Sequence, residues 1–287
     1  MLGISAALLS AVCATAKDIV SKRLSREVSG SVSAFASFLF ALPFYLVLLA
    51  ALYLLGVEDF AVSGAFFTFI VLRGLSDTAA EWMKMQALAV SDLSFVACFL
   101  ALSPVFLIVT SPFLTGEPIT RSEMAALALV CCGTVLAAYK PGETLAKADK
   151  KGMVWGVGAA FFFSVNTCFD KLAVQTASPT VSAFAVTVVA GLFLMPAVWR
   201  TPGGVAELRR FRSPFFLRGF FELLFMVTKL TALLFLSAPA VMALQRVSLI
   251  LNVVSGRTLF HEGQFGRRLG AAILILCGII LVIFDRG

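Results

Sequence analysis

Charge is scarce in this sequence. Of 287 residues only 14% are Asp, Glu, Lys or Arg, while 60% are hydrophobic. A soluble domain carries about 25% charged residues, so a water-soluble fold is excluded. Histidine is nearly missing, with a single residue, so His/Cys clusters at metal-ligand spacing cannot form and no metal site is expected. The six cysteines, Cys13, Cys98, Cys131, Cys132, Cys168 and Cys277, all lie in apolar runs. They read as small packing residues and not as a disulfide framework. A nucleophile–base pair and a phosphate-cradling glycine loop are also absent, so no catalytic residue is assigned and an enzyme is not expected. A net charge of +7 would suggest nucleic acid in a soluble protein. Here the basic residues gather in short loops, where they mark one face of a membrane, and no nucleic-acid partner is expected.

Long apolar runs are what the chain does have. At roughly 20 apolar residues per span, this length allows about ten helices and no sizeable soluble domain. Breaks at polar, Gly and Pro positions set the spans near 2–21, 32–55, 62–88, 93–115, 122–139, 152–174, 181–199, 214–236, 239–260 and 268–284. The first run starts apolar with no basic stretch before it, and is read as a retained transmembrane helix despite the small-residue triplet Ala14-Thr15-Ala16. The expected fold is an all-α polytopic membrane protein of ten transmembrane helices.

The chain also repeats itself. A shift of 145 residues lays Leu72-Arg73-Gly74 on Leu217-Arg218-Gly219, Asp77 on Glu222, Lys84 on Lys229 and Ser103 on Ser248. The same shift pairs Glu117 with Glu262 and Cys132-Gly133 with Cys277-Gly278. A different offset aligns Thr15-x-x-Asp18 with Thr167-x-x-Asp170. The division is a first five-helix repeat over 1–140, a basic linker over 141–151 and a second repeat over 152–287. An odd number of spans per repeat forces the halves into opposite orientations. Two inverted five-helix repeats with a ligand site at their junction are the pattern of secondary transporters. Loops after odd-numbered spans hold thirteen Lys and Arg, among them Lys22, Arg23, Arg26, Lys150 and Lys151, whereas the other side holds Arg121 and Arg286. The positive-inside rule therefore puts both termini outside the cytoplasm.

Charges within spans cost about 2.5–3.5 kcal/mol each on insertion scales and mark functional positions. Arg73, Asp77, Glu81 and Lys84 follow i, i+4, i+8 and i+11, one helical face; Arg218, Glu222 and Lys229 trace the same stripe in the eighth span. Arg73–Asp77 and Arg218–Glu222 have the spacing of intrahelical pairs, and these residues with Glu81 are the charge-pair and coupling candidates. Lys229 has no acid close by on its own helix. With span centres near residues 80 and 225, a rise of about 1.5 Å per residue sets Lys84 and Lys229 about 6 Å from the midplane on opposite sides. Arg246 is another cation near mid-helix, with Gln245, Ser248 and Asn252 along one face beside it. Asn166, with Thr167 and Asp170, forms a smaller polar patch. Lys84, Lys229, Arg246, Gln245, Asn252, Ser248 and Asn166 are the substrate-binding candidates. Among the deep groups five cations face three acids, a surplus that suggests an anionic or zwitterionic ligand. No cofactor is expected, though coupling to protons or a counter-substrate is open. The remaining expected partner is the lipid bilayer, with the chain a monomer or homodimer. Gly116-Glu117-Pro118 and His261-Glu262-Gly263 read as turns whose carboxylate complements the next helix N-terminus.

The pattern resembles the EamA branch of the drug/metabolite transporter superfamily. The residues that carry it are Ala87-Leu88, Leu102-Ser103-Pro104 and Leu114-Thr115-Gly116-Glu117 in the first half, and Ala232-Leu233, Ser248 and Phe260-His261-Glu262 in the second. The resemblance implies a ten-helix alternating-access carrier of the inner membrane, with a central cavity lined by the third, fourth, eighth and ninth spans plus the first and sixth. The Gln245-Arg246 segment is also similar to the Lys-Arg segment of plastid sugar-phosphate translocators, of which it shares the arginine. Other readings are an exporter of cationic drugs or polyamines, a lipid-carrier flippase, or a non-transporting membrane partner. The orientation is tested by fusions to the C-terminus. An alkaline phosphatase fusion in a bacterial host should be active and a fluorescent-protein fusion dark; the reverse pattern would overturn it.

Overall fold

The computed structural model describes residues 2–57, 61–116, 128–129, 132–133, 135–136, 147–236 and 238–286. Among them the chain is helical throughout. In the first half run α1 (Leu2–Leu24), α2 (Gly30–Leu39), α3 (Leu42–Leu54), α4 (Gly64–Val90), α5 (Leu93–Leu100) and α6 (Ser103–Leu114). The second half holds α7 (Lys147–Val174), α8 (Pro179–Arg200), the short α9 (Gly204–Arg210), α10 (Arg212–Phe235), α11 (Ala238–Gln245), α12 (Val247–Phe260) and α13 (Phe265–Arg286). Most of the fifth span, Glu117 and the bulk of the 141–151 linker lie outside the described residues. Helix α7 begins at Lys147, so the basic end of the segment read as linker is helical. The architecture is that of an all-α membrane protein built from two inverted repeats.

Its exterior and interior are reversed relative to a soluble protein. Leu54 and Phe113 are 83% and 86% exposed, while Arg218 and Asp170 are fully buried. Apolar side chains suit lipid, and charge is kept for the inside. Five of the described spans are apolar enough to cross a membrane on composition alone: Leu2–Leu24, Gly30–Leu54, Leu93–Leu114, Asp149–Val174 and Pro179–Arg200. Helices α4 and α10 are long enough but carry the charged stripes, which they turn inward.

Three spans are split, and the cause is local. Pro43 sits in the first turn of α3 and Pro104 in the first turn of α6. Neither can donate to the carbonyl four residues back, so the ladder is interrupted between α2 and α3 and between α5 and α6. The third break falls at Arg246, between α11 and α12. The 145-residue shift places Ala101 on Arg246, so the fourth and ninth spans are interrupted at equivalent points.

Packing crosses the two halves. Helix α1 lies mainly against α10, and α4 mainly against α7, so each half's first span embraces the other half's third. Lysines close the ends of the central helices. The Lys22 ammonium donates to the carbonyls of Leu88 and Ser91 at 2.8 and 2.5 Å. In the other half Lys171 donates to those of Leu233 and Leu236 at 2.8 and 3.2 Å. The four carbonyls are repeat-related, and a cation at a helix C-terminus meets carbonyls that have no intrahelical donor.

Glu262 departs from expectation. Its carboxylate does not serve the helix that follows; it accepts from the Leu93 and Ser94 amides at 2.7 and 3.1 Å, capping α5 from the other half. Arg268 binds the same carboxylate at 3.1 Å and Asp92 at 2.7 Å. The free amides of a helix N-terminus take an anion wherever the fold brings one, whatever its place in sequence.

Close approach is set by paired glycines. A Cβ on Gly74 would meet the Val189 side chain of α8, and one on Gly219 would run into the Phe40–Ala41 backbone at the α2–α3 break. Backbone cannot yield cheaply, so overpacking there should cost about 1–3 kcal/mol. Gly219→Ala is expected to lower the melting temperature in detergent clearly more than Gly64→Ala, whose added methyl would point into open space. Equal shifts would contradict this packing.

Candidate functional site

The site is built on a repeated ion pair. Lys84 of α4 binds Asp18 of α1 at 2.6 Å, and Lys229 of α10 binds Asp170 of α7 at 2.7 Å. Both partners are equivalent across the repeat, so the duplicated sequence has become a duplicated contact. Lys229, which lacks an acid on its own helix, finds one on the sixth span.

Around the pairs two networks form. In one, Lys17 of α1 binds Glu81 at 3.1 Å and Glu222 at 2.7 Å. Glu81 also takes Arg218 at 3.2 Å and Lys84 at 3.5 Å. In the other, Arg73 holds Asp77 at 3.0 Å and Asp170 at 2.6 Å, and Asn166 donates to Asp77 at 2.9 Å. Every one of these side chains is buried. The intrahelical Arg73–Asp77 pair is present. No Arg218–Glu222 pair is found among the described ion pairs: Arg218 reaches across to Glu81, and Glu222 accepts Lys17. In a low-dielectric interior a closer or doubly shared partner on a neighbouring helix outcompetes i, i+4 spacing.

The expected surplus of cations also changes. That comparison does not count Lys17, Asp18 and Asp170, all of which the structure buries. Including them gives six cations and five carboxylates, so the surplus falls from two to one. Lys17, Glu81, Arg218, Glu222, Lys84 and Asp18 balance one another, as do Arg73, Asp77, Asp170 and Lys229. The deep cation without a carboxylate partner among the described ion pairs is Arg246.

Arg246 sits where the two breaks meet. Its guanidinium donates to the Leu100 carbonyl at 3.3 Å and to the Ser103 hydroxyl at 3.0 Å. The Leu100 carbonyl is the one that Pro104 leaves without a backbone donor; the Ser103 hydroxyl donates to it at 3.1 Å, and the arginine of the ninth span adds a second bond to the break in the fourth. A cavity of about 110 Å³ opens here, between the first, third, fourth, sixth, eighth and ninth spans. Lys84, Lys229, Arg246, Gln245, Ser248 and Asn252 all line it, with Lys17, Asp18 and Glu81. Asn252 donates to Asp18 at 3.0 Å and Gln245 to Ser10 at 2.8 Å, while the Asn252 carbonyl oxygen has no hydrogen-bond partner among the described residues. Phe163 and Phe225 add apolar wall. Asn166, Arg73, Asp77, Arg218 and Glu222 stand behind the lining, in the ionic networks.

The family of the chain can be read at this point. The model of the EamA-like transporter family matches residues 1–139 and 150–284. The chain belongs to that family. A crystal structure described only as "Crystal structure of protein" has a TM-score of 0.59 and 17% identity, with 98% of this chain and 96% of that chain covered. At that identity the likeness shows the fold alone. No curated protein matches the chain. As an EamA-like transporter, the protein is a multi-pass membrane transporter of the drug/metabolite type.

In this EamA-like transporter, Lys17 joins carboxylates from α4 and α10. Removing one partner of a buried ion pair costs about 3–5 kcal/mol, because the other charge is left uncompensated. Lys17→Gln should therefore lower thermal stability in detergent by about that much, whereas Arg257→Gln at an exposed position should leave it unchanged. A Lys17 variant as stable as wild type would show that the network is not what holds α1 in place.

Proposed function

We propose that this protein is a secondary active transporter that moves a small polar metabolite of anionic or zwitterionic character across the cytoplasmic membrane by alternating access. The observation that carries this reading is Arg246, a cation in the central cavity without a carboxylate partner among the described residues. Its planar fork suits a carboxylate or phosphate oxygen pair. The Asn252 carbonyl oxygen, buried without a donor among the described residues, supports a ligand that also carries an N–H or O–H group.

Cavity size supports a small solute. About 110 Å³ is well below the roughly 300–1,000 Å³ of sites for drug-sized ligands. This weighs against a bulky drug or a lipid carrier. A cationic substrate would call for unpaired acids, yet Asp18 and Glu81, the carboxylates lining the cavity, each hold lysine. Rocking of one repeat against the other around the fixed site would expose it to each side in turn. No cofactor is invoked, and the working unit is a monomer or homodimer with its termini outside the cytoplasm.

The test is thermal stabilisation of the purified protein against amino acids, monocarboxylates, phosphorylated metabolites and organic cations. A ligand at 100 times its Kd should stabilise by about 2.7 kcal/mol. Anions or zwitterions should give the response, and Arg246→Gln should abolish it in a protein that still unfolds cooperatively. A response to organic cations alone would overturn the reading.

A further inference from the structure

The two repeat-related ion pairs are not equally secure. Asp170 is clamped by both Arg73 and Lys229, at 2.6 and 2.7 Å, and its side chain is 1% exposed. Among the described ion pairs Asp18 has Lys84 alone, at 2.6 Å, with the Asn252 amide donating to its other oxygen at 3.0 Å, and its side chain is 11% exposed, the most accessible of the five deep carboxylates. Two conditions single out a carboxylate that substrate could unpair: one cationic partner, and a place on the cavity wall. Asp77 and Glu222 have one cation each but do not line the cavity. Glu81 lines it but keeps Lys17 and Arg218 if Lys84 leaves. Among the described residues Asp18 meets both conditions, and Lys84 lines the same cavity.

We propose that Asp18 is the proton-coupling group of this transporter. The proposal rests on the reading of an anionic group in the cavity. When that group engages Arg246 and draws the Lys84 ammonium toward itself, the Asp18 carboxylate loses the one cation in contact with it, and the charge of Arg246 is taken up by the ligand. An ionised carboxylate stranded in a low-dielectric site neutralises by taking a proton, which comes from the water on whichever side the cavity faces. One negative charge and one proton then enter together, and the net charge of the cavity is the same before and after. Release reverses the exchange: the proton leaves Asp18 as Lys84 returns. The transporter is thereby a proton symporter.

The charged groups around Asp18 are consistent with this exchange. On α4 stand Arg73, Asp77, Glu81 and Lys84, and of these Lys84 binds Asp18. Helix α10 carries Arg218, Glu222 and Lys229, committed to Glu81, Lys17 and Asp170. Arg246 lies between α11 and α12, and Arg257 near the end of α12 is exposed. Helix α5 carries no charge within its length, with Asp92 at its cap held by Arg268. On α1 itself Lys17 is taken by Glu81 and Glu222, and Lys22 by backbone carbonyls.

Infrared difference spectroscopy tests the assignment without a substrate. At neutral pH Lys84→Gln should gain one protonated-carboxyl band over wild type. The gain should vanish in Lys84→Gln/Asp18→Asn, and Lys229→Gln should show none, because Arg73 still pairs with Asp170 at 2.6 Å. A Lys84→Gln protein without the band, or a band that survives Asp18→Asn, overturns the proposal. Should Lys84→Gln not fold, uptake of labelled alanine and pyruvate into proteoliposomes decides. In wild type an acid-outside gradient should raise uptake, and in Asp18→Asn the ratio of uptake with and without the gradient should fall to one. If wild type carries either solute and the ratio is unchanged by Asp18→Asn, the proposal falls and the substrate reading stands. If the infrared gain appears and neither solute is carried, the pairing that holds Asp18 ionised stands and alanine and pyruvate are excluded as the solute.

Discussion

Glu81 accepts Lys17 from the first span, Lys84 from its own, and Arg218 from the eighth. That three-way contact shows what organises the molecule. In lipid, helices gain no hydrophobic energy from associating, since acyl chains are as apolar as leucine, so packing and polar contacts do the joining. Here most buried charges are paired, and apart from Arg73–Asp77 and Lys84–Glu81 the described pairs join different helices. Pairing α1 with α10 and α4 with α7 brings opposite charges together and commits the two halves to one another. The same requirement leaves a cavity at the centre, because cations and carboxylates meet head-on there and the rings of Phe163 and Phe225 close the wall around them.

A second constraint acts on the backbone. A carbonyl without a donor is expensive at membrane depth, and broken helices survive only where protein or a cavity satisfies them. Pro104 frees the Leu100 carbonyl, and the Ser103 hydroxyl together with Arg246 from the equivalent break in the other half supplies its hydrogen bonds. The arginine is held in place by backbone and a serine hydroxyl instead of by an acid. It is thus positioned without being neutralised, which is what a receptor for an anionic group requires. The cost of a broken helix and the cost of a buried cation are partly offset by a single contact.

Much of this was legible in the residues. Ten apolar runs, the 145-residue shift and the charged faces of the third and eighth spans depend on periodicity, which is local, and six of the seven substrate-binding candidates line the cavity. What periodicity cannot give is which helix lies next to which. Arg218 has a suitable glutamate four residues along its own helix and ignores it for Glu81, reaching across the interior to α4 from an α10 that Gly219 lets settle against the α2–α3 break. Lys229 looked solitary for the same reason, its partner Asp170 being 59 residues away in sequence. Lys17 carries no sequence signal of its role, because a lysine late in a span has the pattern of a snorkelling flank. Asn166 was grouped with the cavity through its polarity alone, and the structure sets it behind the lining with Asp77. Glu262 was tied to its own turn, since a carboxylate gives no sign of which N-terminus it will cap.

The departures from internal symmetry have a simple origin. The 145-residue shift places Glu81 on Met226. In the second half the methionine offers no charge, and its sulfur lies 4.0 Å from the Arg73 guanidinium, which turns instead to Asp170. In the first half Glu81 draws Arg218, the equivalent of Arg73, away from Asp18, the equivalent of Asp170. One acid present in one repeat and missing from the other therefore gives Asp170 two cations and Asp18 one. Near-symmetry between inverted halves supplies two conformations of comparable energy, which alternating access needs. It cannot by itself say which group responds to the solute, because equal pairs would respond equally. The Glu81–Met226 difference breaks that equality at a buried position, where charge interactions are least screened and a single partner more or less has the greatest effect.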